Sequence, residues 1–185
     1  MMTVAEREGV LNYLAESRER LLRTTEGLSQ EQLHYRPAPG RWTVAECVEH
    51  ITAVEGAVLG LIQKSLSEGP RPEKRSAFAD KDGPLVEDIA GRITRFQAPD
   101  FLVPRQRWSD EQLLKEFEAA RRNTREFASH TDADLRSHFY THPVFGDLDL
   151  YQWLLLVAAH CDRHRAQSEE VIAGLGFPRS SAAAS

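Results

Sequence analysis

Apolar residues recur at steps of three and four over four long stretches of the chain, the spacing that lines one face of a helix. The first stretch runs from about Val4 to Glu26 and carries Leu11, Leu14, Leu21 and, just past it, Leu28. The second opens at Trp42-Thr43-Val44-Ala45-Glu46 and continues through Ile51, Val54, Val58, Leu61 and Ile62 to about Glu68. Thr43 followed three residues later by Glu46 is the pattern of a capping box, with Trp42 placed as a hydrophobic staple. The same device recurs twice. Trp108, Ser109 and Gln112 open a third helix bearing Leu113, Leu114, Phe117, Ala120 and Phe127, and Leu148, Asp149 and Gln152 open a fourth that ends near Ala173, before Gly174 and Gly176. No segment alternates convincingly at period two, which leaves room for no more than a short hairpin. The expected fold is all-α: a four-helix bundle in one domain over residues 1–178, with a disordered tail at 179–185.

The connection between the second and third helices is the irregular part. Five of the nine prolines (Pro70, Pro72, Pro84, Pro99 and Pro104) fall within it. It is too long for an ordinary loop, so a short helix is expected over Leu85–Phe96, where Ile89 and Ile93 are helically spaced. This connection is expected to fold over the end of the bundle and form one wall of a pocket.

Composition narrows the function. A chain of 185 residues can bury about 70% of its surface without disulfide staples. Its two cysteines, Cys47 and Cys161, lack metal-ribbon or redox spacing. With 23 basic and 28 acidic side chains and no basic run, the charge balance argues against a nucleic-acid footprint. No apolar stretch is long enough to span a bilayer, and the charged start of the chain does not read as a signal peptide, so a cytoplasmic protein is expected.

Among the seven histidines, His160 and His164 stand four apart on the apolar seam of the fourth helix. That spacing stacks them on one face, where they can share a metal ion. His50, two turns into the second helix, flanks its apolar face and would complete a three-imidazole set with a coordination position left open. This is not the H-E-x-x-H pattern, because Cys161 follows the first histidine. His138 and His142 are also four apart, but Pro143 disfavours helix there and makes them turn residues or the rim of a pocket. His34 and His130 lie beside turn residues and read as solvated, and both cysteines read as packing. Glu49 and Asp162 neighbour the histidines in sequence but leave their helices in other directions.

Three blocks resemble the DinB/YfiT-like superfamily of metalloenzymes over roughly residues 5–175. They are Arg36 through Ile51, ending on His50; His142-Pro143-Val144-Phe145-Gly146-Asp147-Leu148; and Trp153 through Gln167, with the pattern H-x-x-x-H-x-x-Q. The resemblance implies a four-helix bundle holding a divalent metal, zinc or nickel, on His50, His160 and His164. It also implies a choice of activities: transfer of a low-molecular-weight thiol such as bacillithiol or mycothiol, hydrolysis, or a noncatalytic metal-binding role in stress response. Thiol transfer to a small molecule is the leading expectation, with Arg92, Arg95, Arg105 and Arg107 available for anionic groups of the thiol. No catalytic base is assignable, and a homodimer is compatible with an exposed apolar helix face.

Overall fold

The computed structural model describes residues 1–77, 80–95 and 97–179, with backbone alone at 76 and 77; the expected tail from 180 onward and Phe96 lie outside the described residues. Four long helices dominate. In chain order the elements are α1 (Val4–Thr25), α2 (Gln30–Leu33), α3 (Val44–Ser65), α4 (Asp82–Gly91), α5 (Asp110–His130), an antiparallel hairpin of β1 (Phe139–His142) and β2 (Gly146–Asp149), and α6 (Leu150–Ala173). Short 3-10 turns occupy 66–68, 72–77, 100–102 and 135–137.

The helix starts follow local chemistry. Thr43 Oγ1 accepts from the Glu46 N–H and Glu46 returns a carboxylate to the Thr43 N–H at 2.8 Å. Asp149 and Gln152 exchange the same pair of bonds at the head of α6, and Ser109 with Gln112 caps α5. Thr3 and Glu6 form a further box at α1. Helix α1 stops at Thr25, before Gly27 turns the chain at a φ of 71°, so Leu28 lies beyond the helix and packs instead beside Val171 and Phe177. The hairpin pairs Phe139 with Asp149 and His142 with Gly146; Gly146 adopts the left-handed backbone that a three-residue loop requires.

Side-chain bonds between helices fix their directions. Tyr151, Asp162 and Glu169 of α6 meet Glu6, Arg20 and Thr24 of α1 in the same order, so these helices run parallel. Arg7 reaches Ala128 while Arg18 pairs with Glu118, so α1 and α5 are antiparallel. Val44 meets Val171, at the far end of α6 from Leu150, whereas Val58 and Ile62 join the cluster around Leu150 and Leu154; α3 is antiparallel to α6. It follows that α3 and α5 point the same way. Residues 66–109 must therefore carry the chain back along the length of a helix, about 33 Å for 22 residues.

Helix α4 makes that return alongside α6, not over the end of the bundle as the sequence led one to expect. At its start Asp82 accepts from Gln152 of α6, and at its end the Ile89 carbonyl accepts from Arg163. With α1, α3 and α4 around it, α6 is buried on every side: each residue from Leu150 to His164 is at most 9% exposed. The apolar seam read from sequence is thus one stripe of a helix that has no solvent face over four turns. The predicted start of the short helix moves forward to Asp82, and it ends at Gly91 because Arg92 takes a left-handed C-cap. Among the described residues no helix is long and apolar enough to cross a membrane.

At the centre, Arg121 of α5 is fully buried and donates to the Glu55 carboxylate of α3 at 2.8–3.1 Å, and to the Leu14 carbonyl and Ser17 hydroxyl of α1. Removing one partner of such a pair leaves a buried charge without compensation. Arg121→Met should lower the unfolding free energy in urea by about 3–5 kcal/mol. Adding Glu55→Leu to it should restore most of that loss; a single variant within about 1 kcal/mol of wild type would show the pair to be dispensable.

Candidate metal centre

Antiparallel packing of α3 on α6 brings His50 opposite His160 and His164. One ring nitrogen from each lies within 4.8 Å of the other two, and all three side chains are buried. The ring centroids are 4.5–4.9 Å apart. Trp42, one residue before the α3 cap, lies over the cluster, 4.7 Å from the His50 ring and stacked at 5.6 Å on His164. Its sequence position announced a staple; in the fold its indole also roofs the histidines.

The hydrogen bonds assign the nitrogens on two rings. His50 Nδ1–H donates to the Leu102 carbonyl at 2.9 Å, and His164 Nδ1–H donates to Gln167 Oε1 at 3.1 Å. A carbonyl oxygen only accepts, so each Nδ1 carries the proton and each Nε2 keeps its lone pair. Burial disfavours the imidazolium: His160 is held well below the ordinary histidine pKa by desolvation first and then by His164, His50 and Arg163, His164 likewise by desolvation and then by His50 and Arg163, and His50 is lowered by desolvation. Three buried imidazoles, each with a ring nitrogen within 4.8 Å of the other two, form a donor set suited to a divalent borderline ion such as zinc or nickel. The second bonds on His50 and His164 are of the kind that orient metal-ligating rings.

The other sequence candidates separate from this cluster. His142 sits at the end of β1, where its Nδ1 accepts from the Val144 and Phe145 amides and its ring rests on Trp153; burial lowers its pKa to about 4. His138 is buried with Nδ1–H on the Asp134 carbonyl. His34 is partly exposed and pairs with Asp110, and His130 is a surface residue. Burial pushes the thiols of Cys47 and Cys161 up to about 12 and about 11, in keeping with a packing role.

Carboxylates and arginines near the histidines are engaged elsewhere. Asp162 forms a two-point pair with Arg20 and a contact with Arg165. Glu49 accepts from the Arg105 and Gln106 amides and from Arg107. Three of the four arginines offered by the connection are engaged: Arg105 bonds the Asp100 carbonyl, Arg107 the Phe101 carbonyl, and Arg92 pairs with Glu170, while Arg95 is exposed. Arg163, which went unremarked in the sequence, links α6 to the Ile89 and Thr94 carbonyls beside the site.

A bundle with this crossover and a buried cluster of three histidines defines a class of helical proteins equipped to hold a divalent ion. The sequence profile of the DinB superfamily matches residues 13–168, and the chain belongs to that family. The uncharacterized protein YuaE of Bacillus subtilis strain 168 is 26% identical over 147 residues, spanning 78% of this chain and 86% of YuaE. The solved structure of YfiT from Bacillus subtilis, described as a probable metal-dependent hydrolase with an unusual four-helix bundle topology, superimposes with a TM-score of 0.60, covering 96% of this chain and 92% of YfiT at 18% identity. At that identity the likeness is one of fold.

Because the buried imidazoles are neutral in the folded chain and titrate near 6.5 when unfolded, the unfolded state binds more protons below that pH. With chelator present, stability should therefore hold from pH 8 to 7 and fall as the pH drops below about 6.5, by about 2 kcal/mol at pH 5 for each imidazole that stays neutral. Urea titrations of wild type beside a His50→Gln, His160→Gln, His164→Gln variant check this: the variant should show the smaller decline.

Proposed function

We propose that the protein is a divalent-metal enzyme, with zinc or nickel held by His50, His160 and His164, that transfers a low-molecular-weight thiol to a small-molecule acceptor in the cytoplasm. The observation that carries the reading is the buried set of neutral imidazoles whose neighbouring carboxylates, Glu49 and Asp162, are both taken by arginines. A bound divalent ion supplies a Lewis acid that lowers the pKa of a coordinated thiol. Thiol transfer needs little further proton chemistry from the chain: the S–H bond is lost, a bond from sulfur to the acceptor carbon forms, and the leaving group departs with its electron pair and is balanced by that proton. The chain's own thiols stay protonated and buried, so the reacting sulfur is the cosubstrate's. His50 and His164 are held by their Nδ1–H bonds with the other nitrogen directed away, and Trp42 excludes water from one side of the site.

Hydrolysis is the second reading, and what favours it is the description of YfiT, whose fold this chain shares. Elemental analysis should find about one equivalent of zinc or nickel per chain, lost in His160→Ala, His164→Ala; metal retained by that variant would remove the site. Bacillithiol added to metal-loaded protein should ionise at a lower pH than free thiol, read as thiolate absorbance. Unshifted absorbance together with cleavage of an ester or amide would make the protein a hydrolase, and unshifted absorbance without turnover would make it a noncatalytic metal-binding module.

A further inference from the structure

We propose that Glu49 is the positioning residue of the histidine cluster: it clamps residues 100–107 against α3 and thereby fixes the Leu102 carbonyl that sets the His50 ring. The consequence for metal affinity rests on the metal-binding reading above; the consequence for the ring does not.

Glu49 and His50 are neighbours on α3, so their side chains leave the helix about 100° apart. Both nonetheless end on the same short stretch of the connection. The Glu49 carboxylate, 4% exposed, accepts from the Arg105 amide at 2.7 Å, the Gln106 amide at 2.9 Å and Arg107 Nη1 at 2.6 Å. Gln106 has a φ of 58°, a left-handed conformation rare for a side chain of its size. This conformation turns two successive amides, those of Arg105 and Gln106, toward one anion. The stretch is also tied to itself: Arg107 Nη2 donates to the Phe101 carbonyl at 2.7 Å and Arg105 Nη2 to the Asp100 carbonyl at 3.0 Å. Arg107 therefore bridges the carboxylate to the turn at 100–102, whose Leu102 carbonyl accepts from His50 Nδ1–H at 2.9 Å.

This arrangement leaves Glu49 poorly suited to be a base, since three donors converge on its two oxygens. It has a different effect. A backbone carbonyl on a connection without long secondary structure can orient a ring only if the connection is held still. Glu49 provides that hold at one residue's remove from the ring.

The test compares wild type with Glu49→Gln and Arg107→Met, each full-length and 15N-labelled at pH 7.5. In the apo proteins, the His50 ring nitrogens should change from the shifts of a single Nδ1–H tautomer to averaged values in Glu49→Gln, with His160 and His164 unmoved. Amide exchange at Arg105 and Gln106 should accelerate. Zinc affinity should weaken about 10- to 100-fold, the usual effect of losing a partner that orients a ligand. Arg107→Met should move the same readouts by less, and it carries the test if Glu49→Gln does not fold. A His50 tautomer that persists while the 105–106 amides exchange freely would overturn the proposal and make Glu49 a loop stitch. If wild type binds neither zinc nor nickel while the tautomer still responds to Glu49→Gln, the metal reading fails and the positioning role stands.

Discussion

Because α3 and α5 point in the same direction, the chain has to travel back the length of the bundle between them. An alternating up-and-down bundle would close the same gap with a few residues. Here the return path becomes architecture: α4 lies on the flank of α6, and the 100–107 stretch settles on α3 just before α5 begins. The site depends on both. Keeping water from α6 holds its two imidazoles uncharged well below the ordinary histidine pKa, and α4 supplies the side that α1 and α3 do not cover.

The same constraint explains the polar bonds of the connection. A segment of irregular backbone laid on a helical core has amides and carbonyls that need partners. Arg163 answers the carbonyls of Ile89 and Thr94, Glu49 the amides of Arg105 and Gln106, and His50 the carbonyl of Leu102. Side chains of the helices thus satisfy the return path, and in doing so they are themselves oriented.

How much of this could be read from the sequence follows from what each feature is made of. The caps at Thr43, Ser109 and Asp149 were legible because a capping box is written in residues three apart. The convergence of His160 and His164 was legible from helical spacing, and His50 from its place near an apolar face. Helix directions were not, since periodicity is blind to polarity; the expectation that the connection would cover a bundle end failed for that reason. The partner of His50 is a backbone carbonyl, and a carbonyl has no letter. Glu49 stood beside His50 in plain view, but adjacency on a helix argues against a shared role until a loop brings the two side chains' partners together.

The Arg121 network carries a consequence for how this chain reaches its native state. Its guanidinium needs Glu55 from α3 and both Leu14 and Ser17 from α1, so three helices distant in sequence must be present at one moment for the charge to be matched. A partly assembled bundle lacking α1 would confine a cation with donors unanswered, and one lacking α3 would confine it without a counter-charge. Such half-formed species are raised in free energy relative to both ends of the reaction. The central ion pair, costly as a source of stability, thereby acts as a penalty on intermediates and sharpens folding toward a single cooperative step.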